Sequence, residues 1–231
     1  MNDLDAILRQ FDAAFLTPGA RVICGVDEVG RGPLAGPVVA AAVILPGSAR
    51  LPGLDDSKRI APARRVALAA AIRACASAVG IAFVGPRRIE AVNIRQASLL
   101  AMRRAVFRAV DVARGRARRR PGSGALRPDE LLVLVDGIDS IPGMSWPQRA
   151  IVGGDGRSRA IAAASVVAKV ARDEFMTRLA TEYPGYGFER NYGYGTPEHL
   201  AALQRAGACS WHRRTFAPIA RPDLFSTSGA G

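Results

Sequence analysis

The chain has 231 residues, 49% of them hydrophobic, and a formal net charge of +12. That length suffices for one domain with a core of its own, and the apolar content excludes a wholly disordered chain. No apolar stretch reaches 18 charge-free residues, which argues against a membrane span. Cys24, Cys75 and Cys209 show neither a disulfide framework nor zinc spacing, and the acidic start M-N-D-L-D-A lacks the pattern of a secretion signal, so a cytoplasmic setting is expected. The charge is uneven. Between Lys58 and Arg127 there are 17 basic and two acidic residues, a net of +15, while the remainder is at −3. Such a block points to a phosphate polymer as partner, or to solvated Arg-rich helix faces.

In chain order, residues 1–20 read as an N-terminal helix or tail. The run R-V-I-C-G-V-D from Arg21 reads as a buried strand closed by G-R-G-P, and G-P-V-V-A-A-A-V-I-L as a second strand close enough to pair with it as a hairpin. Pro62 opens a helical segment to about Ala78, V-G-I-A-F-V-G is a third strand, and a helical pattern in two pieces runs from about Pro86 to Arg114. The stretch Arg114–Pro128 has no apolar period and reads as a mobile basic loop. E-L-L-V-L-V-D is a strong strand ending at Asp136. A short strand near Arg149–Val152 leads to the turn G-G-D-G, and Ser158 is placed to N-cap a long helix ending before Pro184. The aromatic, Gly-rich stretch Y-P-G-Y-G-F-E-R-N-Y-G-Y-G-T-P precedes a short helix from Thr196, and the last residues form a frayed tail. A hairpin followed by alternating strands and helices indicates an α/β fold, a mixed sheet with helices on its faces.

Acids recur where strands end. Asp27 and Glu28 close the first strand, Asp136 closes the Leu/Val strand, and Asp155 lies in a Gly-flanked turn. Ionised carboxylates next to buried apolar runs are costly unless paired or metal-bound, and hard oxygen ligands suit Mg²⁺ or Mn²⁺. The bland alternative is that each acid caps a turn and faces solvent. Gly30-Arg31-Gly32 follows the first acidic pair, and its glycines let a backbone approach a phosphate or hydroxyl closely. Tyr183, Tyr186, Phe188, Tyr192 and Tyr194 crowd one loop, either to stack on bases or sugars or to fill a small satellite core. His199 and His212 have no recognisable Ser or Cys partner for a nucleophilic triad. From the residues alone, a metal-dependent enzyme, a phosphoryl-receiver domain and a non-catalytic Arg-rich binding protein all stay open. The receiver is usually near half this length, and the binder leaves the acids idle.

The motifs together resemble the ribonuclease HII (type 2 ribonuclease H) family. The resemblance lies in G-V-D-E-V-G-R-G-P-L-A-G-P-V-V-A-A-A-V (Gly25 to Val43), L-D-D-S-K (Leu54 to Lys58), V-D-G (Val135 to Gly137), A-A-A-S-V-V-A-K-V-A-R-D, Y-P-G-Y-G-F, G-Y-G-T and H-R-R-T-F, in family order over residues 21–218. It implies a ribonuclease H-like mixed sheet flanked by helices, with a catalytic core over residues 21–182 and a C-terminal helical, substrate-contacting extension over 183–220. It also implies cleavage of the RNA strand of RNA–DNA hybrids and incision 5′ of ribonucleotides in duplex DNA, leaving 5′-phosphate and 3′-hydroxyl ends, with two divalent cations, Mn²⁺ or Mg²⁺, held by Asp27, Glu28, Asp136 and Asp155. The family's Lys before the last acid is Gly153 here, and Asp173 reads as a structural partner of arginines such as Arg172 or Arg178. Gly30, Arg31 and Gly32 would read the 2′-hydroxyl, Tyr194 would pack on the sugar at the RNA–DNA junction, and Lys58 and Lys169 lie in family motifs as further substrate-binding candidates. A monomer acting on nucleic acid, away from membranes, is the expectation.

Overall fold

V-I-C-G-V-D-E-V forms β1 (Val22–Val29) and V-V-A-A-A-V-I forms β2 (Val38–Ile44), an antiparallel pair in which Val26 faces Ala42 and Val29 faces Val39. β-Branched residues favour the extended chain, and the turn at Gly30–Pro37 lets it reverse. The computed structural model describes residues 4–55, 60–119 and 130–220. In it β3 (Ala78–Val84) adds antiparallel to β2, while β4 (Leu131–Asp136) and β5 (Gln148–Ile151) add parallel to β1. The sheet order is β3-β2-β1-β4-β5, a mixed sheet as expected.

Helices cover both faces. α3 (Pro86–Arg119) packs on the face carrying Cys24, Val26, Ala40 and Ala42, and α1 (Leu4–Ala13), α2 (Pro62–Cys75) and α4 (Arg159–Glu182) cover the face carrying Ala41 and Val43. β2 is therefore buried along its whole length, and its alanines allow both helices to come close. The Ser158 hydroxyl accepts the Ile161 amide at 3.2 Å, so α4 has the expected N-cap. Its first half is almost entirely buried, as an all-apolar helix must be. No helix among the described residues is long and apolar enough to cross a membrane.

α3 departs from the expected end. It is broken at Asn93 (φ 67°, ψ 166°), whose side-chain oxygen accepts the Gln96 amide and starts the second piece, so the two-piece reading holds. It then continues through Arg119 instead of yielding to a loop at Arg114. Ala and Arg are strong helix formers, so this stretch can stay helical without an apolar period. Residues 120–128 of the expected loop lie outside the described residues. α2 also stops at Cys75, three residues earlier than expected, because Ala78 is already in β3. After α4 come α5 (Phe188–Asn191) and α6 (Pro197–Ala206), packed with the end of α4 around Leu34, Met176, Tyr186, Phe188 and Leu203.

Candidate active site

Val26 of β1 pairs with Val135 of β4 in a parallel register, so Asp27 and Asp136 follow as neighbours at the carboxyl ends of adjacent strands. In an open α/β sheet this is where ligands bind. Asp27 faces α4, where the buried Ser165 hydroxyl hydrogen-bonds its carboxyl. Its Oδ1 also accepts the Glu28 amide at 2.7 Å. Asp136 Oδ1 accepts the Gly154 amide at 2.7 Å, which ties β4 to the single 3-10 turn Gly154–Gly156 that carries Asp155. Gly153, where the family pattern has Lys, sits at the start of that turn in left-handed conformation.

The four acids thus meet at one end of the sheet, with few cations among them. Glu28 Oε1 lies 3.3 Å from Arg31, while Glu28 Oε2 is buried with no hydrogen-bond partner. Burial holds the Asp27 carboxyl well above the usual carboxylate range, and the charges of Glu28 and Asp136 push it further. Glu28 is raised by burial against the pull of Arg31, with Asp136 adding to the rise. Asp136 is also raised, chiefly by burial, and the Asp155 charge contributes. An unpartnered buried oxygen among carboxylates that destabilise one another is the kind of oxygen donor that suits a hard divalent cation. Among the described residues no three acid, His or Cys side chains stand close enough to ligate one ion as they are.

Beside the acids, Gly30 (φ 91°) is pressed onto the Arg172 side chain, where any Cβ would collide with the guanidinium nitrogen. Arg31 and Gly32 are exposed, and a Cβ on Gly32 would lie 4.0 Å from the Tyr194 ring. The aromatic loop divides. Tyr186 and Phe188 stack at 5.3 Å inside the satellite core, Tyr183 and Tyr192 are half-buried, and Tyr194 is 43% exposed beside Gly32. His199 and His212 form a buried pair, Nε2 to Nε2 3.0 Å, and His199 Nδ1 holds the Tyr194 carbonyl at 2.8 Å.

Lys169 is placed one turn after Ser165 on α4, paired with Asp173 at 2.7 Å and lying over the Tyr192 ring. Asp173 also faces Arg65 at 3.9 Å. The expected pairing of Asp173 with Arg172 or Arg178 is not the one found: Arg172 points the other way, onto backbone carbonyls of the Gly30 loop. Lys58 lies outside the described residues. Ser165, Arg213 and the histidine pair had no role in the sequence reading, and Arg172 had only the pairing with Asp173 that is not the one found. The only trace of Ser165 was a hydroxyl in an otherwise apolar helix run.

A family model described as ribonuclease HII matches residues 24–219. The ribonuclease HII of Geobacillus thermodenitrificans (strain NG80-2) is 48% identical over 212 residues, covering 92% of this chain and 74% of the relative. In fold, the chain is similar to the ribonuclease H2 of Pyrococcus horikoshii OT3 (TM-score 0.65, 22% identity, 89% of this chain and 99% of that one). It is also similar to Bst ribonuclease HIII in complex with Mn²⁺ (TM-score 0.64, 17% identity, 90% and 71%). The sheet order, the strand-end acids and these matches agree: the chain belongs to the ribonuclease HII family, endonucleases with ribonuclease H activity on RNA–DNA hybrids.

Proposed function

We propose that this ribonuclease H incises 5′ of ribonucleotides embedded in duplex DNA as well as in hybrids, by two-metal-ion hydrolysis at Asp27, Glu28, Asp136 and Asp155. The observation that carries the reading is the buried, unpartnered Glu28 Oε2 among carboxylates that raise one another's pKa. Mn²⁺ or Mg²⁺ held there supplies Lewis-acid chemistry, acidifying water and stabilising the departing 3′-oxygen. The chain's own part is positional. Ser165 fixes the Asp27 carboxyl, and the Gly154 amide fixes Asp136 through Oδ1. Gly30, Arg31 and Gly32 read the 2′-hydroxyl, and the exposed Tyr194 ring beside Gly32 packs on the sugar at the RNA–DNA junction, so that residues 183–220 act as the substrate-contacting extension. Lys169, lying over the Tyr192 ring, serves as a further substrate-binding residue.

The test is a labelled DNA duplex carrying one ribonucleotide, incubated with Mn²⁺. One nick immediately 5′ of that residue, with 3′-hydroxyl and 5′-phosphate ends, is the expected result, and a duplex left whole overturns the reading. In the same assay Tyr194→Ala should lower kcat/KM at the junction by about tenfold or more, since a base- or sugar-stacking ring is worth about 1–3 kcal/mol. The melting temperature should move little, because the ring is exposed. Normal junction cleavage would return Tyr194 to a packing role.

The cationic block gains a direction from the fold. β3 runs parallel to β1, so α3 begins at the carboxylate end of the sheet and runs away from it. Arg87 and Arg88 are exposed at the near end, whereas Arg116 at the far end donates to the Ala76 and Ser77 carbonyls. Replacing Arg87 and Arg88 by Ala should reduce the slope of log Kd against log salt by about 1–2 for duplex binding. Replacing Arg114 and Arg116 should leave that slope where it was. Equal slopes for both variants would separate the near arginines from the substrate.

A further inference from the structure

Arg172 and Arg213, from the A-R-D and H-R-R-T-F motifs, are both fully buried, and neither forms an ion pair among the described residues. Each spends its guanidinium on backbone carbonyls. Arg213 donates from Nε to Gly36 (3.0 Å), from Nη1 to Arg31 (2.8 Å), and from Nη2 to Gly30 (2.6 Å) and Gly36 (2.9 Å). Arg172 donates to Pro37 (3.0 Å), Ala35 (3.1 Å) and Tyr192 (3.0 Å). Two buried charges without a counter-ion are a poor way to hold a fold together, since apolar residues of similar volume would do it at lower cost. What they do provide is the orientation of the loop.

A planar trans peptide points its C=O and the following N–H in opposite directions. With the Gly30 and Arg31 carbonyls drawn inward to Arg213, the amides of Arg31 and Gly32 must face outward. Both residues are exposed, and neither amide has an acceptor among the described residues. They open beside the Tyr194 ring, whose loop is held to the same clamp by Arg172 on Tyr192 and by the Leu34 and Ala35 amides on the Gly193 carbonyl (2.8 and 3.2 Å).

We infer that Arg213, backed by Arg172, is the positioning residue for ribonucleotide specificity: it turns the Arg31 and Gly32 amides outward as a paired donor for a sugar 2′-oxygen and keeps them in register with Tyr194. The inference rests on the proposed reading of that loop. Burial, with the neighbouring Arg172 charge, lowers the Arg213 pKa only to about 9, so the clamp is charged at neutral pH. Lysine keeps that charge but gathers its donors at one point and cannot span Gly30, Arg31 and Gly36 together.

Arg213→Lys is therefore the informative variant, read by fluorescence anisotropy in EDTA on two duplexes of one sequence, all-DNA and with a single ribonucleotide. Two amide hydrogen bonds are worth roughly tenfold in Kd, so wild type should prefer the ribonucleotide duplex by about that factor. Arg213→Lys should narrow the preference to about twofold or less, while the salt-dependent affinity for all-DNA duplex stays close to wild type. A merely structural role would weaken both affinities alike and would overturn the inference, as would an undiminished preference. A wild type without any preference would instead sink the underlying reading of the loop. If Arg213→Lys does not fold, amide hydrogen exchange on the wild type decides. Arg31 and Gly32 should be protected by the ribonucleotide duplex and not by its all-DNA counterpart, and equal protection by both contradicts the inference.

Discussion

Asp136→Asn should cut turnover on an RNA–DNA hybrid by at least about 10³-fold in Mn²⁺ or Mg²⁺, with duplex binding largely retained. The substitution is nearly isosteric, and Asn Oδ1 can still accept the Gly154 amide that holds Asp136 at the end of β4. What it removes is one negative charge from a cluster that already includes Asp27 and Glu28, and with it a proposed ligand for a hard cation. The same substitution should stabilise the metal-free protein. The Asp136 pKa is raised in the folded state, chiefly by burial. A raised acid contributes stability that is fully present below its unfolded value near 3.8 and is lost as pH rises through the folded value. An uncharged Asn has no such loss, so the metal-free variant should melt above wild type at pH 7 and at about the same temperature at pH 3.5. Full activity of Asp136→Asn would remove the residue from the chemistry. A variant that is less stable at pH 7 would mean that its charge is already compensated within the protein.

Gly25→Ala should be among the most destabilising single-methyl changes in the molecule, costing about 3–5 kcal/mol in denaturant unfolding. Gly25 lies in the middle of β1 on the face toward α4, and a Cβ there would fall inside contact distance of the Ala160 carbonyl group and the Ile161 amide. Those neighbours are backbone at the capped start of a buried helix, so no rotamer change relieves the clash, and β1 or α4 must move. Either movement separates Asp27, two residues along β1, from Ser165, four residues beyond Ile161 on α4. Any folded variant should therefore lose activity beyond its loss of stability. A cost below about 1 kcal/mol would show that α4 is not pressed on the sheet as described.

The strands were legible because β-branched runs of five to eight residues bounded by Gly and Pro have few other readings. β1, β2 and β4 fall where the sequence places them, and so does the Ser158 cap. The end of α3 was not legible: Arg114–Arg119 carries no apolar stripe, and it is helical through the intrinsic preference of Ala and Arg and the Arg116 bonds to the Ala76 and Ser77 carbonyls. Of the site, the strand-end acids could be seen one by one, since an acid after a buried run is anomalous wherever it occurs. Their convergence could not, because it depends on β1 and β4 pairing across more than a hundred residues, and it was the family resemblance that singled out Tyr194. Ser165, Arg172 and Arg213 escaped for another reason. Each acts on a partner distant in sequence, and nothing local distinguishes a buried arginine that binds carbonyls from a solvated one.

The proposed chemistry requires the carboxylates of Asp27, Glu28, Asp136 and Asp155 to form a divalent-cation site. Calorimetric titration of Mn²⁺ into the wild-type protein and into Asp136→Asn, without substrate, tests this directly. The wild type should take up Mn²⁺ with a saturable heat, and the variant should lose at least about tenfold in affinity, in line with the removal of one charged ligand. Identical isotherms for the two proteins would contradict the account.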